Sequence, residues 1–146
     1  MANVVQVDVD FFGKDLSVDD FAKEARIWAK ENLGKIEPLS CPCINKDIHF
    51  SNKGIRHTIE HKKHNKADSY EKEIISVLSV MPELLNNCEH RYTTQDNKGR
   101  DNILSIIKLV GKVKILGKEK KVEIILREVP HEESTKIIFY NHTFTE

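Results

Sequence analysis

A chain of 146 residues is one domain, or one domain with an appended arm, and is long enough to bury a real core. Hydrophobic residues make up 39% and charged residues 32%, the balance of a soluble globular protein and not of a disordered one. The 23 basic and 23 acidic residues cancel, so the chain is no polycation, and any nucleic-acid affinity must come from a local patch.

Val4, Val5, Val7 and Val9 read as a short strand closed by Phe11 and Phe12, with Gly13 turning the chain. Ser17 caps a helix over residues 18–33, in which Phe21, Ala25, Trp28 and Ala29 form the apolar stripe and Gly34 ends it. A loop over 35–46 holds Pro38 and Pro42 and is the best linker, which divides the chain into a strand–helix arm (1–46) and a main α+β domain (47–146). A short His-rich helix follows, with Ser51 or Asn52 as its N-cap and Ile55 and Ile59 as its docking edge. A second helix runs from Ser69 to about Asn86, and Pro82 predicts a kink or restart near Val80. Residues 89–94 can form a strand, and the polar run 96–99 is turn chemistry. Residues 102–115 and 118–128 predict strands joined at Leu116-Gly117. Pairing Ile115 with Lys118 sets Leu109 opposite Ile124 and Ile107 opposite Leu126, an apolar face. The other face carries Lys108, Lys112, Lys121 and Arg127. A turn over 130–134 leads to a last strand over 136–142, so the expected architecture is helices first, then an antiparallel meander of about four strands.

The chemistry concentrates in the His-rich helix. His57, His61 and His64 fall at i, i+4 and i+7 and form one stripe, flanked by Arg56, Lys62, Lys63 and Lys66. Imidazoles in a positive field suit proton transfer on an anionic substrate near neutral pH.

These residues carry a resemblance. The opening Phe50-Ser-Asn-Lys-Gly-Ile-Arg-His57, the Val80-Met-Pro-Glu-Leu-Leu85 helix, the Val113–Arg127 hairpin and the closing Phe139-Tyr-Asn-His142 resemble the phage-associated branch of the barnase–EndoU–colicin–RelE-like nuclease superfamily. Such domains occur in large polyvalent phage proteins and mobile-element toxins, and the resemblance covers about residues 47–146. It implies helices packed on a four-stranded antiparallel sheet and metal-independent RNA cleavage through the 2′-hydroxyl. It carries over His57, Arg127, Tyr140 and His142 as catalytic residues. The chemistry agrees: the reaction needs a base, an acid and a cation for the charged phosphorane. Imidazoles can be base and acid, Arg is the better phosphate clamp, and Tyr140 and His142 share a strand face by the period of two. Arg56, His61, Lys62, Lys63 and Lys108 are then the substrate-binding residues. RNA is the expected partner, an immunity or other partner protein a further one, and no cofactor is expected.

Other readings compete. The basic helix is also an ordinary solvated face, or the docking surface of a non-catalytic module of the same fold. Arg127 could only pair with Glu123 or Glu128, Tyr140 could be a core-edge aromatic, and His142 could belong to a frayed tail. His57-Thr-Ile-Glu60-His61 matches H-x-x-E-H, which makes His57, Glu60 and His61 the alternative metal site of a zinc hydrolase. Cys41-Pro-Cys43 is a C-x-C without a second pair, Cys88 standing alone, and reads as a packed or loop thiol pair rather than a zinc site. An odd cysteine count argues against a disulfide framework. No stretch approaches a membrane span and the first residues do not read as a signal peptide, so the cytoplasm is the expected compartment.

Overall fold

The computed structural model describes residues 3–34, 38–60, 68–95 and 103–145. The first strand, β1 (Val4–Val7), leads to helix α1 (Val18–Asn32). Ser17 caps α1 as expected, its side chain accepting the Asp20 N–H at 3.1 Å. Phe21, Ala25 and Ala29 are fully buried one turn apart, because an apolar residue at every fourth position keeps one face inward. Strands β2 (Leu39–Cys41) and β3 (Lys46–His49) form a hairpin around the tight turn Pro42–Ile44. Helix α2 (Asn52–Glu60) follows, then α3 (Asp68–Ser76), a 3₁₀ turn over Val77–Val80, and α4 (Met81–Asn86). The restart at Met81 is where the sequence places it, since Pro82 sits in the first turn of α4, where its missing N–H costs nothing.

The remaining strands are β4 (Glu89–Gln95), β5 (Ser105–Ile115), β6 (Lys118–His131) and β7 (Ser134–Thr145). The β5–β6 register is the expected one: Ile115 pairs with Lys118, Leu109 with Ile124 and Ile107 with Leu126. Leu116 and Gly117 both take positive φ at that turn. The last strand is longer than expected, starting at Ser134 and running to Thr145.

The α+β class stands, but the sheet is not a four-stranded antiparallel meander. It is mixed and has seven strands, in the order β1-β5-β6-β7-β3-β2, with β4 also paired to β5. The antiparallel pairs β4–β5, β5–β6 and β6–β7 are joined by two parallel ones, β1 on β5 and β3 on β7. The two parallel partners come from the N-terminal third, which the sequence pattern alone leaves outside the sheet. Val5 and Val7 of β1 and the inner face of α1 belong to the same buried cluster as Leu109, Leu126 and Phe139. The expected division after Lys46 falls inside the β2–β3 hairpin, where Cys41 pairs with Lys46.

The last strand positions the site. Strand β3 pairs with β7 only at Ile137 and Ile138, and the chain then leaves as α2, which covers the rest of that edge. Gly54 is needed for this approach: a Cβ there would stand 2.5 Å from the Phe139 carbonyl oxygen. Opposite, the β6–β7 register moves from Leu126↔Phe139 to Ile125↔Asn141, so Tyr140 is the extra residue of a β-bulge. The alternation of faces slips there. Phe139, Asn141 and His142 are buried, while Ile138 and Tyr140 are half-buried on the outer face. The expected shared face of Tyr140 and His142 is thereby lost.

Candidate functional site

The site forms where α2, β6 and β7 meet on the outer sheet face. The Ser51 hydroxyl accepts the Gly54 N–H at 3.1 Å and starts α2. Lys53 and His57 then lie one turn apart on the same helix face. His57 stacks on Tyr140, with ring centroids 4.3 Å apart and planes at 22°. The Arg127 guanidinium carbon lies 3.4 Å from the centre of the same ring. Two planar groups this close cannot share one face of a ring without overlapping, so Tyr140 is held between His57 and Arg127. All three line one cavity of about 390 Å³, with Lys53, Ser51 and an apolar wall of Ile103, Val129 and Ile138. Imidazole, guanidinium, phenol and the positive end of a helix thus converge on one concave surface, an arrangement suited to a phosphate.

His142 is not in this cavity. It is fully buried and is no frayed tail, since β7 continues past it. Its Nε2 lies 2.8 Å from the Ile74 carbonyl oxygen and its Nδ1 2.7 Å from the Thr58 hydroxyl. A carbonyl only accepts, so Nε2 carries the proton; the single proton of the Thr58 hydroxyl is shared between Asn141 Oδ1 at 2.8 Å and Nδ1 of the neutral ring. The His142 N–H also reaches Thr58 Oγ1 (3.1 Å) and Asn141 Oδ1 (2.9 Å). The Thr58 hydroxyl therefore takes the place of the strand partner that β7 lacks here, and fixes α2 one residue beyond His57.

The other expected residues are dispersed. Arg56 lines a separate groove between α1 and α2, of about 410 Å³, with Arg26 and Lys30. Lys108 shares the outer sheet face with Arg127 but approaches Glu123 (3.9 Å) and lies over Tyr92; Tyr92 is the first cause of its raised pKa. Glu60 meets Arg26 at 3.6 Å, so it and His57 face different neighbours. His61, Lys62 and Lys63, and with them the extended histidine stripe, lie outside the described residues. Ser51 is the N-cap the sequence offers, while Lys53 has no role in the sequence reading, although its spacing of four from His57 points to it.

A second cluster extends the Cys41-Pro-Cys43 motif with Cys88, which does not stand alone. Cys88, at the junction of α4 and β4, joins Cys41 and Cys43, with Sγ–Sγ distances of 3.7, 3.8 and 3.6 Å. Cys41 and Cys88 are buried, and Cys43 reaches the surface. The hydrogen bond from Cys88 and a further one from Cys43 hold the Cys41 thiol down at about 7, against the opposing effect of burial. Burial and then the Cys41 charge push Cys43 up to about 11, and the bond to Cys41 raises Cys88 further. One thiolate is thus favoured, and it is solvated by its two neighbours.

The profile of the family described as large polyvalent protein-associated domain 3 matches residues 17–140, and the chain belongs to that family. No curated protein and no solved structure matches it. Among the described residues no helix is long and apolar enough to cross a membrane.

Proposed function

We propose that this polyvalent-protein domain is a metal-independent endoribonuclease of the phage or mobile-element type, and that its site is the cavity around Tyr140. The observation that supports this reading is the convergence of His57 and Arg127 on the two faces of one tyrosine, beside the start of α2. His57 takes the proton of the 2′-hydroxyl as that oxygen attacks the adjacent phosphorus. Arg127, assisted by Lys53, holds the phosphate oxygens as charge builds on the phosphorane. Tyr140 gives its phenolic proton to the departing 5′-oxygen. The 2′-O–P bond forms, the P–5′-O bond breaks, and the products are a 2′,3′-cyclic phosphate and a 5′-hydroxyl. His142 has no contact with substrate in this scheme; through Thr58 it positions α2 and hence His57.

The test is incubation of the purified chain with total RNA in the absence of divalent metal. Cleavage should leave cyclic phosphate ends. His57→Ala should lower the rate by roughly a hundred- to ten-thousand-fold. Arg127→Ala should also lower it, and Arg127→Lys should restore only part, because a point charge cannot reproduce the bidentate fork. Tyr140→Phe keeps the ring stack and removes the acid. If the parent protein cleaves no RNA while His57→Ala, Arg127→Ala and Lys63→Ala weaken RNA binding alike, the catalytic reading fails. A binding module of the same fold then takes its place.

A further inference from the structure

We propose that Cys41, Cys43 and Cys88 form a binding site for a single zinc ion, and that this ion clips the β2–β3 hairpin to the α4–β4 junction. The geometry carries the argument. Zinc holds thiolates at about 2.3 Å in a tetrahedron, which sets neighbouring sulfurs about 3.8 Å apart. The three sulfurs lie 3.6, 3.7 and 3.8 Å from one another, so all three edges match one face of that tetrahedron. A disulfide would bring one pair to about 2.05 Å, and none of the three cysteines is bridged.

The backbone is arranged to present these sulfurs. Cys41 closes β2, Pro42 begins a 3₁₀ turn, and Asn45 in the left-handed region returns the chain into β3. This tight reversal turns two thiols, two residues apart, toward one point. Cys88 comes from the other side, just beyond the end of α4. An ion has a way in, because Cys43 lines a surface cavity of about 380 Å³ together with His90 and Lys46. The fourth coordination position is completed from this side, by water or by a side chain of the cavity. Binding displaces the thiol protons to solvent, so affinity rises with pH.

The site is distinct from the Tyr140 cavity. The cysteine-side cavity meets β6 and β7 at Glu128 and Ile137, and the Tyr140 cavity meets them at Arg127 and Ile138. Successive strand residues point to opposite faces, so the two sites lie on opposite sides of the sheet. The ion is structural and the zinc reading stands whether or not the chain cleaves RNA.

The experiment is metal analysis of the full chain purified under reducing conditions with zinc, followed by replacement with cobalt(II). One zinc per chain is expected, and cobalt should produce thiolate charge-transfer bands and the d–d bands of a tetrahedral site. Zinc should raise the melting temperature, saturating at one equivalent. Cys43→Ser is the decisive variant, because Cys43 is exposed and its replacement leaves the buried packing intact. It should fold, lose the charge-transfer intensity of one thiolate, and bind zinc at least ~100-fold more weakly, more than loss of an outer-shell contact costs. Absence of retained zinc and of cobalt charge-transfer bands in the parent would overturn the proposal. So would a Cys43→Ser variant that binds zinc as tightly as the parent, or a disulfide among the three cysteines in the reduced preparation.

Discussion

Replacing Gly54 by alanine sets two effects of opposite sign against each other. Helix propensity favours alanine by at most about 1 kcal/mol. The approach of α2 to β7 opposes it, since the new Cβ would stand 2.5 Å from the Phe139 carbonyl oxygen. Carbon–oxygen contacts normally begin near ~3.3 Å, so α2 must retreat by roughly 0.8 Å. The obstacle is backbone in the middle of a strand, so it cannot turn aside as a side chain would. Overpacking of this kind costs ~1–3 kcal/mol. The retreat also stretches the Thr58 contacts to His142, now 2.7 and 3.1 Å, which adds about 1 kcal/mol. The expected balance is a loss of ~1–3 kcal/mol, read as a lower urea midpoint at unchanged slope. The same movement draws His57 off Tyr140, so the histidine ring protons should lose their ring-current shift in NMR spectra. A variant more stable than the parent would show that propensity governs this position, and would refute the close docking of α2 on β7.

Thr58→Val keeps the shape of the side chain and removes the hydroxyl shared by Asn141 and His142; it should cost ~1–3 kcal/mol in urea unfolding, and Thr58→Ser clearly less. His49 has its pKa lowered in the fold, first by burial and then by Lys136, with Asp47 opposing. The unfolded chain therefore binds the proton first. Stability should fall as pH drops below the unfolded value of about 6.5, and His49→Gln should reduce that slope in denaturation curves taken across this range; an unchanged slope would refute the assignment. Beside these stand the rate losses expected of the His57, Arg127 and Tyr140 variants and the single zinc expected at the cysteines.

Where a signal is local and periodic, the fold is legible in the sequence itself. Phe21, Ala25 and Ala29 recur at helical spacing and mark the buried face of α1. The alternation through Ile107, Leu109, Ile124 and Leu126 specifies the β5–β6 register, because a one-residue slip would turn every apolar side chain to solvent. Pro82 marks the restart at α4 for a similarly local reason. Of the site, His57 and the outer-face position of Arg127 follow from the same periodicities. The rest depends on partners distant in the chain. Nothing in Val4–Val7 says that it lies parallel to Lys112–Ile115, since a four-residue strand pairs with any free edge that its apolar face fits. The bulge at Tyr140 leaves no mark in the run Ile137–His142, yet it separates Tyr140 from His142, sending one to the cavity and the other beneath α2. Cys88 stands 45 residues from Cys43, too far for any spacing rule to join them, and the packing of α4 beside the β2–β3 hairpin brings their sulfurs to 3.6 Å. Periodicity reports which face of an element is buried; which elements share that burial is settled by long-range packing, whose closure entropy is offset only when the whole core forms at once.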